Sequence, residues 1–284
     1  MATFIIARLT FLEAIRRRIL LAAFVLGIAF LILYGIGVHL MQSEAMPARN
    51  PQSPQDLLML SGMNNFLVLA GLYAVDFLAL AMGALASADT LAGEISSGTI
   101  QALVTKPVRR SQIVLGKWLG FASLLALYLV LMAGGVIGIM YVRAGYLAPN
   151  PVAGILLIYL TALIVMTITL MCSSMVSTLA TGGIVFGLYG LSFIGGWVEQ
   201  FGALMKNQGA VDIGIISSLI FPSEALWRRA AFEMTPAVAQ ALGFSFSGPM
   251  ATVSAPSELM VWYAAVYLVV ALAIAVRVFG KRDL

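Results

Sequence analysis

Few side chains in this sequence are suited to making or breaking bonds. There is one histidine, His39, one cysteine, Cys172, and one carboxylate, Asp76, deep inside a long apolar run. Hydrolysis within a membrane would need several His, Glu, Asp or Cys residues converging at one depth, and Asp76 with a lone distant histidine does not supply them. The same counts exclude a bis-histidine haem and a thiolate metal cluster within one chain, so neither a catalytic residue nor a metal site is expected. Cys172 reads as a buried small hydrophobe and His39 as an interfacial residue. Asp76 stands apart. An ionisable group at membrane depth costs about 2.5–3.5 kcal/mol on insertion scales and faces protein interior or water. It therefore lines a path through the membrane or hydrogen-bonds a neighbouring helix.

A second concentration of polar residues lies at 93–118, reading GEISSGTIQALVTKPVRRSQIVLGKW. After Gly98-Thr99, the residues Ile100, Leu103 and Val104 share one face of a short helix. Pro107 stops it, because its ring and missing N–H forbid continuation. A basic turn, Arg109-Arg110, follows. Ser111 is placed to cap the next helix by accepting from its unpaired amides, and Gly116-Lys117 put a thin backbone and a snorkelling cation at a membrane boundary. A short helix held between two apolar ones is a mechanical handle, since whatever docks on it tilts both.

The elements that carry these residues follow from composition. The chain is 61% hydrophobic and 10% charged, with mean hydropathy +1.01, against roughly a quarter charged in an ordinary soluble domain. A helix crosses the hydrocarbon core with about 20 apolar residues and satisfies its backbone internally. Spans are expected at 19–40, 62–88, 118–142, 152–172, 183–198 and 259–279 of a single permease-like domain. No charge occurs between 152 and 198, a length that as one helix would reach about 70 Å, so the chain must turn back, at 173–183. Residues 1–18 form an amphipathic helix with Phe4, Phe11, Leu12 and Ile15 on one face and Thr10, Glu13 and Arg17 on the other, suited to the interface. Arg8 would snorkel. Gly183, Gly187 and Gly190 recur at helical spacing, as does the cluster Gly134, Gly135 and Gly138, which allows close helix approach in lipid.

Orientation follows from the basic residues of the short loops. Arg8, Arg16, Arg17, Arg18, Lys106, Arg109, Arg110, Lys117, Arg277, Lys281 and Arg282 fall on the side of the termini, against Arg49, Arg143, Lys206, Arg228 and Arg229 opposite. Both termini are expected in the cytoplasm of a multi-pass cell-membrane protein, with 89–117 cytoplasmic and 199–258 outside. The net charge of +4 flanks spans instead of forming one stripe, which sets nucleic acid aside as a partner.

Glu94, Gly98-Thr99, Leu103, Pro107-Val108, Arg110 and Gly116-Lys117 appear in an order and spacing that resembles the type 2 permeases of ATP-binding-cassette (ABC) exporters. The likeness is to the six-span branch that includes the nitrous-oxide-reductase maturation permease. The proline-led segment at 221–229, FPSEALWRR, is similar to the segment preceding the last span in that family. The resemblance implies an all-α membrane fold with an interfacial elbow helix, six spans, and a coupling helix docking on a separate cytoplasmic ATPase. It also implies two permease chains, identical or different, with two ATPases, and roles in coupling for Glu94, Gly98, Thr99, Leu103, Pro107, Arg109, Arg110, Gly116 and Lys117. ATP and Mg would be bound by the partner and no cofactor by this chain. A phosphate-binding loop ending in Gly116-Lys117 would need Gly at 111 and Ser or Thr at 118, where Ser111 and Trp118 stand.

Other classes compete. An ion-coupled secondary transporter would show internal repeats and broken helices around midplane charge, and would leave the 93–118 pattern without a role. A permease that passes force to an extracytoplasmic partner would use the long connection 199–258. The apolar spans favour a lipid-like or amphipathic cargo over a sugar or ion.

Overall fold

The computed structural model describes residues 2–16, 18–44, 54–96, 109–242 and 255–281. They form ten helices among the described residues: α1 (Ala2–Arg16), α2 (Arg18–Glu44), α3 (Pro54–Ser96), α4 (Arg110–Ala144), α5 (Pro151–Ser173), α6 (Thr178–Leu204), α7 (Gln208–Ile220), α8 (Ser223–Glu233), α9 (Ala237–Leu242) and α10 (Glu258–Lys281). Six of these, α2 to α6 and α10, are long and apolar enough to cross a membrane. The protein is an all-α membrane protein.

α5 sits at the centre and packs on α3, α4, α6, α8 and α10. It carries no charge, and its threonines hide their polarity locally. Thr161, Thr167 and Thr169 donate to the carbonyls of Leu157, Leu163 and Val165 one turn back, so none of these three buried hydroxyls is left unpaired. Trp118 Nε1 donates to Thr167 Oγ1 at 2.8 Å and Tyr159 to the Ala122 carbonyl at 2.9 Å, pinning α4 to α5. The junctions are local chemistry. Gly145 adopts the left-handed conformation, φ 62°, and donates to Tyr141 to end α4. Pro151 supplies the preset φ that starts α5.

Several boundaries differ from the apolar runs in the sequence. α3, at 43 residues, is roughly 65 Å long, twice the hydrocarbon thickness of about 30 Å. It continues past its apolar stretch through the first residues of the expected cytoplasmic segment, to Ser96. α4 begins at Arg110, eight residues before the expected span, because once Pro107 is passed nothing opposes helix. Between α5 and α6 the break is only 174–177, and Thr178–Gly183 is already helical: small residues there permit a turn without requiring one. The described part of the connection after α6 is largely helical. α7 and α8 form a hairpin bent by 104°, with Phe221 and most of α8 buried.

α1 packs through its small residues. Thr10 and Ala14 are its buried residues, against α4, while Phe4, Ile5, Leu9, Leu12 and Ile15 are exposed. The larger apolar residues are left exposed and the small-residue face is turned to protein, because Gly116 and Gly120 of α4 offer α1 a flat seat. A side chain at Gly116 would strike Ile6 and the Thr3 carbonyl, and one at Gly120 would strike Thr10 and the Ala7 carbonyl.

Candidate functional site

Two regions hold the residues singled out by the sequence. The first is the base of α3 and α4. Gly98, Thr99, Leu103 and Pro107, and with them the short helix expected there, lie outside the described residues, while Glu94 falls in the last turns of α3. Arg109 is exposed and precedes α4; its N–H donates to the Gln112 side chain at 3.1 Å. That bond corrects the expectation for Ser111, which lies inside the first turn, so the cap contact comes from three residues beyond Arg109. Arg110 does not simply face the headgroups. Its guanidinium donates to the Gly280 carbonyl at 3.2 Å, where a cation also meets the negative end of the α10 dipole. Lys117 is a further correction: it is 5% exposed, lining a crevice with Thr10, Glu13, Ala14, Thr90 and Phe121. It lies between helices, not in the headgroups, because α1 covers it. Gly116 is thin for the sake of α1.

The second region surrounds Asp76, midway along α3 and 3% exposed. Its Oδ1 accepts no hydrogen bond among the described residues. Tyr73, one turn earlier, packs on Trp227 of α8 with ring centroids 4.8 Å apart and meets Tyr189 of α6 in a hydrogen-bonding contact. Glu224 of α8 is buried and within electrostatic reach of Asp76. Further along α8, Arg228 donates to Glu199 of α6 at 2.6 Å, both side chains nearly solvent-free. Three helices thus bring three carboxylates and one guanidinium into the interior of a membrane protein.

Compared with protein-family models, residues 4–284 match the ABC-2 family transporter protein. The chain belongs to the ABC-2 family. No characterised protein matches it in a direct sequence comparison. Membership makes it a multi-pass transport subunit rather than an enzyme, and implies association with an ABC ATPase and pairing of permease chains. The family-like pattern at 93–118 and the apolar spans therefore belong to one permease.

Sequence reasoning missed how this permease supports its α7–α8 hairpin. A helix ending inside the bundle leaves its last carbonyls unpaired, and hydrocarbon supplies no water. Here the carbonyls of Leu219, Ile220 and Phe221 accept from the hydroxyls of Tyr263 at 2.5 Å, Tyr267 at 3.1 Å and Ser192 at 2.7 Å. Ser192 Oγ also accepts from the Glu224 N–H at 3.3 Å, serving the end of one helix and the start of the next. The available signal was the proline-led segment after an apolar run too short to span. Nothing local marked its distant hydroxyl partners.

The glycines of α6 divide in two. Side chains at Gly195, Gly196 and Gly202 would strike Ser217, Glu224 and Ala210 respectively, which makes these the packing glycines, facing α7 and α8. At Gly182, Gly183, Gly187 and Gly190 an added Cβ meets nothing within 4 Å. The spacing noted in the sequence marks a face that no described helix of this chain covers.

Proposed function

We propose that this chain is the membrane half of an ABC exporter, one of two permease chains driven by two separate cytoplasmic ATPases. ATP and Mg are bound by those partners. The six-span branch that includes the nitrous-oxide-reductase maturation permease serves as a functional model. The ATPase docks on the segment between α3 and α4, whose cytoplasmic position places both termini in the cytoplasm of a cell-membrane protein.

The observation that carries this reading is how the base of α4 is held. Arg110 ties it to α10, and Gly116 and Gly120 seat α1 against it. A push on the linking segment moves α1, α3, α4 and α10 as one lever. Closure of the ATPases on ATP favours one permease state over the other by differential binding, which is what shifts such an equilibrium. Solute translocation is favoured over force transmission to an outer partner because the α7–α8 hairpin turns into the bundle beside Asp76.

The test is affinity purification of the tagged chain in mild detergent with ATPase assays on the wild type and on Glu94→Ala with Arg109→Ala. Arg110 is left intact because its loss would also release α10. A cytoplasmic ATPase should co-purify, and in the variant be lost or hydrolyse ATP without response to the permease. A complex-preserving preparation with no nucleotide-hydrolysing partner would refute the reading.

A further inference from the structure

The cluster around Asp76 adjoins a cavity of about 430 Å³ between α3 and α6, lined by Ala70, Tyr73, Ala74, Phe77, Tyr189 and Phe193. This is the size of a small-molecule site, roughly 300–1,000 Å³. Phe77 is exposed at its edge, so the cavity opens sideways, where a membrane-dissolved molecule would enter. Its walls are four aromatic rings and two alanines. Tyr73 and Tyr189 form the inner wall, and both sense the Asp76 and Glu224 charges behind them.

In their ionised forms the carboxylates of this region are not all matched by a cation among the described residues. Asp76, Glu224 and Glu199 are buried, and among the described residues the cluster holds a single guanidinium, Arg228, bonded to Glu199 at 2.6 Å. Asp76 Oδ1 is buried without a hydrogen-bond donor among the described residues, an arrangement that is costly to leave unmade. An acidic cluster alone would be a structural curiosity. An orphaned acceptor behind the aromatic wall of an open cavity is complementary to a ligand that brings positive charge on an apolar body, held by ring faces through cation–π attraction and by carboxylates behind them.

We infer that the α3–α6 cavity binds a hydrophobic organic cation, with Tyr73, Phe77, Tyr189 and Phe193 enclosing its apolar groups and Asp76 and Glu224 supplying the counter-charge. The inference rests on the permease reading only in making such a cation the transported class; binding itself requires no ATPase.

The probe is tetraphenylphosphonium, titrated by calorimetry into the purified full-length protein in detergent, with tetraphenylborate, an anion of nearly the same shape, titrated separately. Saturable binding of the cation, at least tenfold tighter than that of the anion, is expected. Asp76→Asn, which keeps the shape, should weaken cation binding at least tenfold, and Phe193→Ala severalfold, with thermal unfolding confirming that each variant is folded. Equal affinity for the two ions in the wild type overturns the inference without any variant, as does cation binding unaffected by Asp76→Asn. Co-purification of the ATPase is scored in the same preparations. Failure of cation binding in a complex that retains its ATPase overturns the cation site and leaves the permease reading standing; cation binding in a chain without an ATPase does the reverse.

Discussion

Glu199 and Arg228 meet at 2.6 Å with almost no exposure, and the consequences of that pairing are asymmetric. Removing one partner leaves a buried charge without compensation, at about 3–5 kcal/mol, whereas replacing both by apolar groups of similar volume is often neutral. Glu199→Gln or Arg228→Met alone should therefore lower the detergent unfolding temperature sharply, and the combined Glu199→Leu with Arg228→Met should recover most of it. A double variant no better than the singles would show that the pair's worth is geometric, not electrostatic. Neither partner was legible as such in the sequence. In the sequence Arg228 reads as one of the outer-side basic residues and Glu199 as the first residue of the outer connection, because nothing local says that a hairpin will fold back there. Asp76, by contrast, was legible: a lone carboxylate in an apolar run has few places to go, and it is buried.

At the scale of elements, the helices themselves were readable because lipid forces the backbone to satisfy its own hydrogen bonds, so apolar length translates almost directly into helix. What apolarity does not encode is where a helix stops beyond the bilayer. Hence α3 and α4 overrun their expected limits, and hence the face that α1 presents is set by the glycines of α4 and not by its own periodicity. That seat gives a prediction. Gly116→Leu or Gly120→Leu puts a branched side chain where Ile6, Thr10 and the α1 backbone lie, and α1 must lift away. Limited proteolysis should cut 2–16 faster in either variant, and ATPase stimulation by the permease should fall, while Gly134→Leu, where an added side chain meets nothing, should leave both unchanged. Unaltered proteolysis at α1 would mean that the helix is held elsewhere.

For the whole molecule, the uncovered glycine face of α6 and the exposed aliphatic residues beside it, among them Leu179, Ile184 and Ile194, mark where the bundle is incomplete. Helices in lipid associate by close van der Waals contact, for which small residues are the requirement. A second permease chain seated there would bring two copies of Gly187 together. In a Cys172→Ser background, Gly187→Cys should form a disulfide-linked dimer in native membranes under mild oxidation, whereas Val142→Cys, on an exposed position of α4, should not. Equal cross-linking at the two positions would place the interface elsewhere. The periodicity of Gly183, Gly187 and Gly190 was visible from the start, but sequence spacing states only that something approaches closely, and whether the partner is internal is decided by the other helices.

The hydroxyls that meet the last carbonyls of α7 impose an order on how this protein is made. Ser192 leaves the ribosome before the hairpin, but Tyr263 and Tyr267 emerge only after it. Until α10 is inserted, the carbonyls of Leu219 and Ile220 have no partners within hydrocarbon, and the hairpin is better off in the aqueous boundary than in the bundle. Entry of α7 and α8 is therefore a late step of biogenesis, following the insertion of α10. Nascent chains arrested before Glu258 should expose 208–233 to protease, and chains carried past α10 should protect it.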